Sequence, residues 1–256
     1  MMIKPDSSLV DALHPSPNAS ERRKGCRPHL VLLHYTGMPS AAKAIHWLAH
    51  PKSKVSCHYV IDEQGLITQM VAEEKRAWHA GVSHWAGEAD INSASIGLEI
   101  QNPGHEHGYP DFSPAQMQAV AALCRDIAAR RGIRPEAILA HSDVAPGRKI
   151  DPGEKFSWAV LAQAGVGHWV APASSEAAGK TYAVGDEGSE VAQAQELLRR
   201  YGYNVETNGR LDQWTAIVLR SFQLHFRPAR ADGKLDRATQ DTLARLVAAL
   251  SVPAMS

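Results

Sequence analysis

The chain has 256 residues, with 27 Lys and Arg balanced by 27 Asp and Glu for a formal net charge of zero. That length fits one large domain, or a medium domain with a small companion. The balance excludes a chain-wide field that would draw in nucleic acid or an anionic membrane surface, and no apolar run approaches the roughly 20 residues of a membrane span.

Residues 1–27 are polar and proline-bearing and are predicted as an irregular lead-in. No apolar h-region precedes Cys26, so the expectation is a cytoplasmic protein. The alternative is the cell envelope, reached through a signal outside this sequence or by an unconventional route. Cys26, Cys57 and Cys124 are too few and too scattered for a disulfide framework or a thiolate zinc site.

"HLVLLHY" follows as a buried strand, and His34 closes it just before Gly37 and Pro39. "SAAKAIHWLAHP" places Ala44, Trp47 and Leu48 at helical spacing and stops at Pro51. "VSCHYVIDEQGLITQMV" reads as two strands around Glu63-Gln64-Gly65. "RAWHAGVSHW" mixes Trp78, His79, His84 and Trp85 and suits a flat cleft wall or a pair of core anchors. "SASIGLEIQN" is a strand with one carboxylate, Glu99, among apolar residues. Ser113 and Pro114 open a long helix that ends at Gly132. "AILAHSDV" is a last strand, with His141 at its end, and "FSWAVLAQAG" a closing helix. Strands and helices alternate, so residues 28–167 are expected to form an α/β domain with a central mixed β-sheet flanked by helices.

Residues 168–183 are small and polar and read as a linker. Residues 184–251 carry three helical patterns whose short apolar faces must pack together, a small all-α three-helix domain. Within it "NGRLDQWT" and "DGKLDRAT" repeat one turn-into-helix unit.

His34, His141 and Asp151 together offer two imidazoles and one carboxylate. Three protein ligands and one position left for solvent is the composition of catalytic zinc. A base near that position could be Glu99, and a group for a developing oxyanion Lys149. Each residue also has a bland reading. His34 and His141 could be core histidines, Asp151 could cap the turn at Pro152-Gly153, Glu99 could sit in an ion pair, and Lys149 could be solvated beside Arg148. With 13 histidines in the chain, a single one is a weak clue, and His58 and His79 are further candidates.

Six ordered motifs, "VLLHYTG", "SCHYVID", "RAWHAGVS", "NSASIGLEIQN", "FSPAQMQAV" and "AHSDVAPGRKIDPG", narrow the choice. Over about residues 28–165 the chain resembles the zinc-dependent N-acetylmuramoyl-L-alanine amidases, the type-2 amidase family that shares its fold with peptidoglycan recognition proteins. The resemblance implies one Zn2+ per chain held by His34, His141 and Asp151. It implies Glu99 as catalytic acid/base and Lys149 as oxyanion partner; His58, Trp78 and His79 are expected to face the substrate. The substrate would be peptidoglycan or a muropeptide, cut between N-acetylmuramic acid and L-alanine. A relative that binds peptidoglycan without cutting it is the alternative. A metal-dependent nuclease fits poorly, since more carboxylates or a basic groove would be needed. The C-terminal part resembles a helical peptidoglycan-binding domain, with Leu-Asp where that pattern has its second glycine. Its alternative role is dimerisation or scaffolding, which would make the protein a homodimer.

Overall fold

A computed structural model describes residues 4–173 and 179–250. Its first two strands are β1 (Ala12–Leu13) and β2 (Ala19–Glu21), followed by β3 (Leu30–Tyr35) and helix α1 (Ala41–Leu48). Then come β4 (Tyr59–Ile61), β5 (Ile67–Gln69), β6 (Lys75–Ala77), the one-turn α2 (Ile91–Ala94) and β7 (Ser95–Ile100). Helix α3 (Pro114–Arg131), β8 (Ile138–Ala140), α4 (His141–Val144) and α5 (Trp158–Gln163) complete the first unit.

Six strands form one mixed sheet in the order β1-β5-β4-β7-β3-β8. β4, β7, β3 and β8 run parallel, and β5 is antiparallel to β4 through the turn at Glu63–Gly65. Val31, Leu32 and Leu33 are wholly buried, as expected where helices cover both faces of a parallel sheet. Helix α3 supplies much of that cover with Met117, Val120, Leu123, Cys124 and Ile127. Its start is fixed by a capping box between Ser113 and Gln116, and its end by Gly132 in the left-handed conformation.

The lead-in expected to be irregular is corrected. β1 extends the main sheet beside β5, and β2 pairs antiparallel with β6. Two- and three-residue strands whose partners lie more than 50 residues away leave no periodic signal in the sequence.

The C-terminal unit is α6 (Ser189–Tyr201), α7 (Gln213–Phe226) and α8 (Arg237–Ala248), as the pattern requires. In both repeats the aspartate caps the next helix: Asp212 accepts from Thr215 N and Asp236 from Thr239 N. The preceding leucines, Leu211 and Leu235, are fully buried. A glutamine from the helix before pins each turn. Gln195 accepts from Asn208 N and Gly209 N and donates to Arg210 O. Gln223 accepts from Gly233 N and donates to Lys234 O.

Of the linker expected at 168–183, residues 174–178 lie outside the described residues, as do 251–256. Its flanks are engaged: His168 stacks on Tyr201, and Tyr182 bridges to Leu235. One apolar core runs through both units, so the helical unit is docked on the sheet unit rather than strung from it.

Candidate functional site

Sheet register assembles the site. His34 on β3 lies directly beside Glu99 on β7, and Leu33 lies beside Ala140 on β8, so His141 emerges next to His34. All three side chains sit at the carboxyl ends of parallel strands, where open α/β sheets gather their ligands. The loop after α4 folds back to bring in Asp151, closed by Ser142 N donating to Asp151 O at 3.0 Å. The Nδ1 atoms of His34 and His141 are 2.8 Å apart, and Asp151 Oδ2 lies 3.1 and 3.0 Å from them.

Hydrogen bonding on the far side of each ring assigns the tautomers. His141 Nε2 faces the carbonyl of Ala80 at 3.1 Å, which can only accept, so Nε2 carries the proton. For His34 the assignment comes through a chain. The Ser95 hydroxyl donates to Ile91 O at 2.6 Å, so it accepts from His79 Nε2 at 3.3 Å. His79 Nδ1 then offers a lone pair and accepts from His34 Nε2 at 3.0 Å. Burial, reinforced by His34, holds His79 well below the ordinary histidine pKa and hence neutral. Two imidazole lone pairs and a carboxylate oxygen therefore point at one buried spot with no proton to share among them. That arrangement repels itself unless a cation is held there. Donors about 2.0–2.1 Å from a tetrahedral zinc lie roughly 3.4 Å apart, so the three atoms here, at 2.8, 3.0 and 3.1 Å, need to part only by about half an ångström to take it. The residues fit the metal.

The electrostatics agree. Burial, then His141, lower His34 to about 4, which keeps it a neutral donor. Burial opposes the charge on Asp151; its carboxylate is held far below the ordinary range only when His141 and His34 carry protons toward it, and with both Nδ1 atoms bare that positive charge has to come from a cation. Glu99 is the opposite case. Burial, then the charge of Asp151, push its carboxyl well above the ordinary range, with Lys149 pulling back. Its Oε2 is buried with no hydrogen-bond partner among the described residues.

These groups form the floor of a cleft of about 550 Å³. Trp47, Val55, Trp78, His105, Arg148 and Lys149 are among the residues lining its walls. Lys149 is exposed and enters no ion pair among the described residues.

His79 and Trp78 line the cleft, but His58 does not, and its expected substrate contact is corrected. His58 is wholly buried behind His79, accepting from Gly97 N at 2.9 Å, with Nε2 on Lys75 O. Gly97 explains the stacking order. A Cβ there would lie 2.5 Å from His79 Nδ1, so only glycine lets the ring cross the strand. Neither Gly97 nor the outer partner Ala80 O stood out in the sequence. The one signal was a glycine inside an apolar strand.

The profile described as N-acetylmuramoyl-L-alanine amidase matches residues 24–154. The chain belongs to this amidase family. A profile described as a peptidoglycan binding domain matches residues 187–243. The N-acetylmuramoyl-L-alanine amidase AmiD of Escherichia coli is 38% identical over 202 residues, covering 73% of this chain and 71% of AmiD. A solved complex of E. coli AmiD with the substrate anhydro-N-acetylmuramic acid-L-Ala-D-gamma-Glu-L-Lys superposes with a TM-score of 0.73 at 34% identity, covering 89% of this chain and 92% of that one. AmpDh3 of Pseudomonas aeruginosa, solved with an anhydromuramic pentapeptide, gives 0.70 at 32% identity, covering 86% of this chain and 91% of that one. The protein is a hydrolase of the amidase class, with the mixed sheet of its relatives. Among the described residues, no helix is long and apolar enough to cross a membrane.

Proposed function

We propose that this amidase cleaves the amide between the lactyl group of N-acetylmuramic acid, or its anhydro form, and L-alanine, using one zinc ion held by His34, His141 and Asp151. The observation that carries the reading is the convergence of three unprotonated donors beside a buried, unpartnered carboxyl oxygen. Zinc held there supplies Lewis acidity, polarising a carbonyl and acidifying water.

The protein groups do the rest. Glu99 takes a proton from the attacking water, since burial and the charge of Asp151 make its carboxylate a stronger base than an ordinary one. Lys149, which lines the same cleft, places its ammonium against the negative charge developing on the carbonyl oxygen. Glu99 then returns the proton to the departing alanine nitrogen. Trp78 and the half-exposed Trp47 offer flat apolar faces for the sugar. Arg148 and Lys149 offer positive charge for the carboxylates of the peptide stem. The helical unit, by its family match, is read as a glycan-holding module.

Mass spectrometry of the products from soluble anhydromuropeptides and from intact sacculi tests this. Release of the intact stem beginning at L-alanine is expected, abolished by a chelator and restored by zinc. The His141→Ala variant should lose zinc and cleavage together; full activity without zinc would overturn the reading. A preference for soluble fragments would point to a cytoplasmic recycling enzyme, and a preference for sacculi to the cell envelope.

A further inference from the structure

The helical unit presses on the back of the segment that carries His141, Lys149 and Asp151. Helix α4 is a single turn whose first residue is His141. Its N-cap is Ala140, which has no side chain to cap with, so Asp143 reaches back and accepts from Ala140 N at 2.8 Å. The Asp143 carboxylate is 1% exposed. Its other partners come from the helical unit: Tyr203 donates its hydroxyl to Oδ1 at 2.5 Å, and His225 Nδ1 donates to Oδ2 at 2.7 Å.

The His225 ring is stacked on two others, its centroid 3.6 Å from that of Trp158 of the sheet unit and 3.8 Å from that of Phe226. The same helix touches the other end of the segment. A Cβ on Gly147 would lie 2.9 Å from Ile217, so α7 packs on the turn just before Lys149. A second route passes through the loop that holds the outer side of His141. Ala80 O accepts from His141, His84 N donates to Val144 O at 2.8 Å, and Ala86 N donates to Gly202 O at 2.8 Å.

We infer that the C-terminal unit is part of the catalytic centre's framework, with Tyr203, His225 and Asp143 as positioning residues that set the orientation of His141. This rests on reading His141 as a metal ligand. A buried carboxylate with three donors is rigid, whereas one that loses a donor must recruit water or turn, and α4 turns with it. A module that only held glycan would affect capture of polymer. This one affects metal binding and turnover on fragments too small to need capture.

The full chain supplies the test, in two variants that separate hydrogen bond from ring. His225→Phe keeps the stack with Trp158 and Phe226 and removes the donor. His225→Asn supplies a donor near the position of Nδ1 and removes the stack. Zinc affinity is measured by competition with a chromogenic chelator, with kcat and KM on a soluble anhydromuropeptide and the melting temperature beside them. We expect His225→Phe to weaken zinc about tenfold, the low end for partners outside a ligand shell, and to lower kcat more than KM. His225→Asn should retain zinc affinity while losing more thermal stability. Tyr203→Phe should weaken zinc in the same direction, and it decides the matter should His225→Phe not fold. Wild-type zinc affinity and kcat in folded His225→Phe and Tyr203→Phe would overturn the inference. A wild-type chain that binds no zinc would overturn the metal reading instead.

Discussion

Two glutamate carboxyls, Glu73 and Glu99, are withdrawn from water on either side of one sheet and treated in opposite ways. Glu73 lies in the turn between β5 and β6, beneath the end of α3, and both its oxygens are saturated. Tyr59 donates its hydroxyl to Oε1 at 2.6 Å, Arg130 donates to both oxygens at 2.8 and 2.9 Å, and Arg131 donates to Oε2 at 2.7 Å. Burial alone would raise its pKa, yet these donors outweigh burial and hold it at about 2. Glu99 keeps an oxygen without a partner and is pushed up instead. A carboxylate met by enough donors is a fixed charge that ties elements together. A carboxylate left one partner short can exchange a proton, and the fold places that one beside His34.

Substitutions at the two regions should therefore separate activity from stability. Lys149→Ala removes the ammonium facing the developing oxyanion, and we expect kcat to fall about 10²–10³-fold with a smaller change in KM. Steady-state kinetics on a soluble fragment check this; a loss confined to KM would make Lys149 a substrate contact only. His79→Phe keeps a ring over Gly97 but removes the acceptor that fixes the His34 tautomer. Zinc affinity should drop about tenfold, with the fold intact by circular dichroism. Unchanged affinity would mean that the tautomer is fixed without His79.

Glu73→Gln should leave turnover of the folded enzyme nearly unchanged and lower stability by about 3 kcal/mol at neutral pH. The sign follows from a carboxyl lowered from 4.5 to about 2 in the folded state. Its stabilisation is complete above about pH 4.5 and disappears as pH falls toward 2. Urea titrations across that window should show a slope that the variant lacks.

Much of the centre was legible in the chain itself, because His34 and His141 each end an apolar strand at a Gly- or Pro-bearing loop and Glu99 interrupts an apolar one. The turn residues Glu63-Gln64-Gly65 between two apolar runs also sufficed to predict the paired strands, and the succession of strands and helices the sheet. His58 was not legible. Both it and His79 stand beside strand ends, and which one faces the cleft is decided by a ring crossing Gly97 on a strand distant in sequence. Asp143 fell within the run "AILAHSDV", expected as strand and found as β8 followed by the turn of α4, and nothing marked it, since its partners Tyr203 and His225 lie 60 and 82 residues further on. The docking of the helical unit rests on such contacts, and composition suggested a tether there instead.

The most direct measurement is zinc content and cleavage rate together in Glu99→Gln. Glutamine keeps the shape of the side chain and cannot carry the proton. We expect one zinc per chain, a melting temperature no lower than that of the parent protein, and a kcat lower by about 10²–10⁴-fold on anhydromuropeptide. Cleavage at the parent rate by the zinc-loaded variant would contradict the role given to Glu99, and with it the division between the two carboxyls.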